Sequence, residues 1–345
     1  MADRYKSIFV RTGRYDAERV HNATLRMARL AGAVRPLGWA AGRMWNAPAD
    51  PAVVFGLRFR NRVGLAAGFD KSGTGYRGLS RLGFGHIEIG TVTPKAQEGN
   101  PTPRVFRLDE YGAIINRMGF PNRGAYFVSE QLKKRRPRDL VIGVNIGMQA
   151  STPIEDAPRD YLHLLDTFAP LADYLTINVS SPNTPELRTL QAGGPLGELL
   201  RAMVARRRSI GSAIPLLVKL SPDLDDSSLD TALKAMLDSG VDGVIATNTT
   251  LARPPELTES DDEEGGLSGA PLFSTTLNIV REIRTRIGDE IPIVAAGGVS
   301  DAASFTEMRD AGASLVQLYT GLVFKGPRLV RDMMEGLEPG VAHSA

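Results

Sequence analysis

Residues 291–321 read IPIVAAGGVSDAASFTEMRDAGASLVQLYTG. Two short runs, Ile291–Ala295 and Ser314–Leu318, flank an amphipathic stretch, Ala302–Asp310, with Ser300 or Asp301 placed to cap it. The runs are apolar throughout rather than alternating, which predicts parallel strands buried on both faces. Gly297-Gly298 follows the first run and Tyr319-Thr320-Gly321 the second. Glycine lets backbone N–H groups approach an anion closely, and a following helix N-terminus favours negative charge. Alone, a glycine pair is an ordinary turn. At two successive strand ends, it predicts a phosphate-bearing cofactor or substrate.

The same unit recurs upstream. Strand-like runs cover Val63–Ala67, Ile87–Val92, Val141–Ile146, Tyr174–Val179, Pro215–Leu220 and Gly243–Thr247. Helical stretches follow, among them Ala125–Arg136, Leu196–Arg208, Ser228–Ser239, Phe273–Ile287 and Arg328–Glu335. Eight such units predict a (β/α)8 TIM barrel. A doubly wound sheet is the alternative, but it has no good place for eight units. Polar residues gather at the C-terminal ends of the runs: Asp70-Lys71, Thr91, Thr93, Asn145, Asn178, Ser180, Ser181, Asn183, Lys219, Asn248, Thr249 and Thr250. Polar groups in apolar strands are costly unless they bind something, so this rim reads as a site. The long loop Pro94–Arg123 carries two β-like pieces, Arg104–Leu108 and Ala113–Arg117. Residues 254–270 hold six acidic residues and end in Gly265-Gly266-Leu267-Ser268-Gly269. They read as a solvated lid with a glycine anchor.

The 345 residues include 41 basic and 39 acidic ones, four His and no Cys. Lack of Cys excludes disulfides, thiolate nucleophiles and thiolate metal sites, and four scattered His with no HxxxH-type pair argue against a His-based metal site. The net charge of +2 conceals an imbalance. Residues 1–45 carry nine basic residues against Asp3, Asp16 and Glu18, a net +6, which leaves −4 for the rest. After a cap at Asp16, Val20, Ala23, Met27, Leu30, Ala31 and Val34 share one helical face, with Arg19, Arg26 and Arg29 opposite. Pro36 ends that helix, and a second runs through Leu37, Ala40, Ala41 and Met44 toward Trp45. Such a pair either packs on the body or lies on an anionic bilayer. No run is long enough for a membrane span, and none resembles a signal peptide.

Lys219 interrupts an apolar strand, where lysine is rarely structural. It could form a Schiff base or remain charged against an anion. Lys71 could act similarly or pair with Asp70. Asn178 to Thr184 concentrates amides and hydroxyls, suited to a planar polar substrate but also to an Asx or Ser/Thr turn before Pro182.

Together, several motifs resemble the class 2, quinone-dependent dihydroorotate dehydrogenases over nearly the whole chain. They are Ala66-Ala67-Gly68-Phe69-Asp70-Lys71, Ile89 to Pro94, Gly99-Asn100-Pro101, Pro103 to Leu108, Ile115 to Phe120 and Asn145-Ile146-Gly147. Asn178 to Thr184, Ala246 to Thr250, Gly265 to Gly269 and Leu315 to Gly321 complete the set. The resemblance implies FMN on Ala67, Gly68, Thr91, Asn145, Asn178, Lys219, Thr247, Gly269, Gly298, Tyr319 and Thr320, with Lys219 charged rather than a Schiff base. It implies dihydroorotate held by Lys71, Asn116, Arg117, Met118, Gly119, Phe120, Asn178, Asn183, Asn248 and Thr249. Ser181 would be the catalytic base, where the cytosolic branch places Cys. Phe120 and Thr184 would shape the proton path. His21, Arg104 and Tyr319 would stand at the inner end of a quinone tunnel beneath a helical extension at 1–45, and 46–345 would form the catalytic barrel. The expected partners are dihydroorotate and orotate, a membrane quinone and an anionic lipid surface, with no nucleic acid and no metal, for a monomer.

The chain departs from the family pattern in three places. Phe69 replaces the usual Leu, Pro121-Asn122 a more usual Asn-Asn, and Met148-Gln149 stands where Lys often follows Asn-Ile-Gly. The expected place is the cytoplasmic side of a bacterial inner membrane, since no transit peptide or membrane span is read. Another flavin barrel reductase and a flavin-less membrane-surface protein remain the rival readings.

Overall fold

The computed structural model describes residues 16–184, 186–191, 193–255, 257 and 263–337. Arg4, Lys6, Arg11, Arg14 and Asp3 of the arm, and Glu256, Glu259, Asp261 and Asp262 of the acidic stretch, lie outside them.

Two helices come first, α1 (Ala17–Ala33) and α2 (Arg35–Trp45), then a hairpin of β1 (Ala52–Val54) and β2 (Leu57–Phe59). The chain continues through β3 (Val63–Leu65), α3 (Tyr76–Leu79), β4 (His86–Val92), β5 (Val105–Leu108), β6 (Ala113–Asn116) and α4 (Gly124–Leu132). Next are β7 (Val141–Ile146), α5 (Ala157–Phe168), β8 (Tyr174–Asn178), α6 (Gly193–Ser209), β9 (Leu216–Leu220) and α7 (Asp226–Ser239). The last part holds β10 (Gly243–Ala246), β11 (Gly266–Gly269), α8 (Phe273–Ile287), β12 (Ile293–Ala296), α9 (Ala302–Asp310), β13 (Ala313–Leu318), α10 (Thr320–Lys325) and α11 (Leu329–Glu335). Strands β3, β4, β7, β8, β9, β10, β12 and β13 close into a parallel barrel. Every residue of β4, β7, β8, β9, β10 and β12 is buried, as the unbroken apolar runs require. All eight expected strands form. Helix α5 was not foreseen, nor was the β1–β2 hairpin.

That hairpin seals the N-terminal mouth. Phe59 packs with Tyr174, Leu217, Ile245, Val294 and Leu315 in a cluster distinct from the main core. His86 fills the space beside it, its ring 5.4 Å from Phe59 and 6.4 Å from Tyr174. Burial pushes this imidazole down to about 3. Gly64 supplies the room, since a Cβ there would overlap the His86 ring.

At the opposite end, β11, β6 and β5 form an antiparallel sheet over the rim. This corrects the reading of 254–270 as lid throughout: Gly266–Gly269 is a strand paired with Ala113–Asn116. Its glycines, with so little apolar surface, masked it from a strand reading. Glu263 is not merely solvated either, because it pairs with Arg117 at 3.0 Å.

Asp16 caps α1 as expected, accepting from the Glu18 and Arg19 amides at 3.1 and 3.0 Å. The arm meets the barrel through a narrow part of its surface. Leu25 and Ala28 pack on the core, and Gly32 and Gly78 bring α1 against α3 so closely that a Cβ at Gly78 would overlap the Ala28 carbonyl. Met27, Leu30, Val34, Leu37, Trp39 and Met44 are 41–67% exposed. The arm therefore packs on the body along one edge and leaves an apolar edge uncovered. Arg104 clamps it with two bonds to Glu18, at 3.0 and 2.7 Å.

Gly64→Ala is expected to lower unfolding stability by about 1–3 kcal/mol through overpacking of the barrel floor. Urea denaturation of the full chain checks this, and Gly64→Ala/His86→Ala should cost less than the sum of its parts.

Candidate active site

The barrel interior is polar beneath the rim. Glu88, fully buried in β4, accepts from Asn145 Nδ2 at 2.8 Å, Gln317 Nε2 at 2.9 Å, and the Tyr174 and Thr176 hydroxyls at 3.1 Å each. A carboxylate can only accept. The Asn145 amide group must then face down, and its oxygen must face up. That oxygen accepts from the Thr91 hydroxyl at 2.6 Å and from Asn178 Nδ2 at 3.0 Å. The Asn178 oxygen in turn accepts from Asn248 Nδ2 at 3.3 Å and from the Ser180 amide at 3.3 Å. One buried carboxylate thus sets the direction of three asparagine side chains up to the rim. Burial lowers the Lys219 ammonium from its ordinary value, and the Glu88 charge opposes that shift.

Above this network lies a cavity of about 170 Å³. Ala67, Gly68, Thr91, Asn178, Lys219, Thr247, Gly269, Gly298, Tyr319 and Thr320 line it, as do Lys71, Asn116, Met118, Gly119, Phe120, Ser181, Asn183, Asn248 and Thr249. Two candidates do not reach it. Asn145 is buried one layer down. The Arg117 guanidinium turns outward to Glu263, the Glu264 carbonyl at 3.2 Å and the face of Phe106 at 4.6 Å.

The lining is held by its own contacts. Asn183 Nδ2 donates to the Asn116 carbonyl at 3.1 Å. Arg188 bridges the Ser180 and Thr249 carbonyls at 3.2 and 3.3 Å while paired with Asp223 at 2.8 Å. The turn reading of 178–184 holds alongside the site reading, because the Ser181 hydroxyl accepts from the Asn183 amide at 3.2 Å. Ser181 lines both the cavity and an outer groove that includes Thr184. Thr184 Oγ1 is buried without a hydrogen-bond partner among the described residues.

Asp70 does not pair with Lys71. Its carboxylate accepts from the Thr74 and Gly75 amides at 2.9 and 2.8 Å, which pins the following loop. Burial chiefly, with Arg104 adding to it, lowers the Lys71 ammonium to about 8, against the pull of Glu18 and Asp70.

A second cavity, about 670 Å³ and mostly apolar, lies between parts of α1 and α2 and the barrel. It shares Lys71, Val105, Ile114, Met118 and Tyr319 with the first. His21 and Tyr319 line it; Arg104 does not, being taken up by Glu18 and the Glu98 and Asn100 carbonyls. Phe69 stands between them, 4.9 Å from the His21 ring and 5.6 Å from Tyr319. Burial, with Lys71 adding to it, drives His21 down to about 3. Burial raises Tyr319 to about 12.

The dihydroorotate dehydrogenase family model matches residues 52–340. The chain belongs to the dihydroorotate dehydrogenase family. It is 46% identical over 329 residues to the Paraburkholderia phymatum protein named dihydroorotate dehydrogenase (quinone), covering 94% of both chains. A Burkholderia mallei protein of that name is 46% identical over 332 residues, covering 95% of both. Among solved structures, an Eimeria tenella dihydroorotate dehydrogenase in complex with ferulenol superposes with TM-score 0.83 at 34% identity, covering 94% of this chain and 91% of that one. The ligand-free type from the same organism gives 0.78 at 35% identity, covering 89% and 93%.

Membership in the dihydroorotate dehydrogenase family implies a flavin cofactor, and the cavity fits one. Gly269 (φ 104°) and Gly298 (φ 75°) adopt backbone that disfavours side chains, and a Cβ at Gly298 would overlap Phe273. Bare backbone at these positions beside Thr320 suits a phosphate. Amides, hydroxyls and one buried cation below suit a planar ring with donors and acceptors on one edge. The departures from the family pattern are absorbed. Asn122 accepts from the Gly124 amide at 2.8 Å and donates to Thr93 at 2.8 Å, while Gln149 accepts from the Lys95 amide at 3.0 Å.

Reasoning from sequence missed Glu88, Glu18 and Arg188. Glu88 had a usable signal, a charge inside the apolar run Ile87–Val92, the same signal that exposed Lys219. Glu88→Gln is expected to cost about 1–3 kcal/mol of stability, because an amide must present a donor to a ring of donors. Urea denaturation reads this, and an unchanged midpoint would contradict it.

Proposed function

We propose that this chain oxidises (S)-dihydroorotate to orotate with FMN as hydride acceptor and a membrane quinone as terminal acceptor, in de novo pyrimidine (UMP) synthesis. One observation carries the reading: a polar cavity and an apolar tunnel share the wall of Lys71, Val105, Ile114, Met118 and Tyr319. Electrons enter from one and leave by the other.

FMN, when bound, supplies a hydride acceptor at its N5. The chain's own groups do the rest. Ala67, Gly68, Thr91, Thr247, Gly269, Gly298, Tyr319 and Thr320 hold FMN, with Asn145 orienting Thr91 and Asn178 from below. Lys219 keeps positive charge where negative charge builds. Lys71, Asn116, Asn178, Asn183, Asn248 and Thr249 hold dihydroorotate, with Met118, Gly119 and Phe120 shaping the wall. Arg117 acts on that wall from outside, latching it to Glu263. Ser181 takes the C5 proton. A serine hydroxyl is a weak base, so the proton needs an exit, and the outer groove past Thr184 supports that path.

The segment 1–45 forms the quinone entrance over the barrel of 46–345, with His21 and Tyr319 at its inner end and Arg104 bracing it through Glu18. No described helix is long and apolar enough to cross a membrane. The exposed edge of α1 and α2 supports a peripheral seat on an anionic lipid surface, which we place on the cytoplasmic side of a bacterial inner membrane. The protein acts as a monomer.

The test is dihydroorotate oxidation by the full chain with a panel of acceptors. Quinones should be reduced and NAD or fumarate should not; efficient fumarate reduction would overturn the class. In the same assay Ser181→Ala should retain FMN and orotate binding but reduce its flavin about 10²–10⁴-fold more slowly. The Lys71 ammonium, charged below about 8, binds the substrate carboxylate only in that form. KM for dihydroorotate should therefore rise about tenfold per pH unit above that point, and Lys71→Met should be uniformly weak and lose this dependence.

A further inference from the structure

A third cavity lies on the other side of α2. It is a groove of about 830 Å³ between α2, the α1–α3 contact and the segment leading into β7. Seven arginines line it, and Asp139 is the one carboxylate among its described lining residues. Arg60 and Arg136 are committed, Arg60 to Asn46 and the Ala47 carbonyl, Arg136 to Asp173 at 2.5 Å. Arg77, Arg81, Arg135 and Arg138 have no carboxylate partner among the described residues, and Arg43 only lies over the Trp39 ring at 5.8 Å. Concentrating five such guanidinium groups is electrostatically unfavourable without an anion.

The groove is shaped for close approach. Gly38 and Gly42 put bare backbone on this face of α2, and the Arg81 side chain lies along it, 3.5–3.8 Å from where their Cβ atoms would be. The same helix turns Leu37, Ala40, Ala41 and Met44 to the apolar tunnel. Trp39, 67% exposed, stands at the groove's rim. Charge on one side of a helix and apolar surface on the other match a ligand with a phosphodiester head and hydrocarbon tails. Guanidinium forks bind phosphate oxygens in pairs.

We propose that this arginine groove is a headgroup site for an anionic phospholipid, across α2 from the tunnel. The proposal rests on the membrane reading above and deepens it. A nonspecific basic face would spread its charge; here the five residues line one recess.

The test is cosedimentation of the full chain with vesicles of phosphatidylcholine alone or with added phosphatidylglycerol. Arg81→Ala/Arg138→Ala should weaken binding to the anionic vesicles by roughly thirtyfold, from about fivefold per basic residue at an anionic surface. Arg201→Ala/Arg208→Ala removes the same charge from α6, which follows β8 and contributes nothing to the groove's lining. It should change binding less than twofold on the same scale. Dihydroorotate oxidation with a soluble acceptor, unchanged in both variants, reports that they fold. Equal losses in the two variants would overturn the groove and leave the membrane reading standing. Wild-type protein that binds neither vesicle would overturn both. Preference of the wild type for RNA over vesicles, lost in the groove variant, would make the occupant a nucleic acid and overturn the proposal.

Discussion

The Glu88 carboxylate, sealed in the barrel, is the constraint on which the rest of the site depends. Amide side chains are nearly symmetric in shape, so an asparagine-rich pocket has many hydrogen-bonding patterns of similar energy. A buried acceptor that cannot donate removes that freedom. Asn145 takes one orientation, Asn178 follows, and Asn248 follows Asn178. The direction of polarity at the rim is thus decided two layers below it. The buried carboxylate is tolerated because four donors and a nearby cation offset its desolvation.

Around that axis the structure divides its chemistry by cavity. Each recess has its own character: polar in the barrel mouth, apolar under the arm, cationic behind α2. The boundaries are thin. Tyr319 and Lys71 belong to the polar and apolar recesses at once, and α2 alone separates the apolar recess from the cationic one. Such economy explains why the arm is fastened by close glycine packing at Gly32 and Gly78 and by a paired arginine rather than by a broad apolar face. Its apolar residues are needed elsewhere.

The barrel was legible in the sequence because buried parallel strands leave unbroken apolar runs, and all eight strands appear within two residues of their expected bounds. The rim residues were legible because polar groups at the ends of such runs are conspicuous. Less visible were features set by contact between distant segments. The strand Gly266–Gly269 carries almost no side-chain signal, and its partner lies 150 residues away. What covers the apolar stripe of α1 was not legible, because helical periodicity identifies such a stripe without saying whether protein, cavity or solvent lies against it. Arg104 and Arg117 were expected to face the cavities, yet their guanidinium groups go to Glu18 and Glu263, partners invisible to local spacing.

Phe69 has a pharmacological consequence. Where a leucine would be flexible, this chain has a flat ring wedged edge-on between His21 and Tyr319. Three aromatic rings in contact cannot rearrange independently, so the inner wall of the tunnel is stiff. A compound selected against a leucine-lined wall meets here a different contour that does not yield. One that stacks on the cavity-facing edge of this triplet gains a contact that a leucine at position 69 would not offer, which makes that single position a handle for selective inhibition.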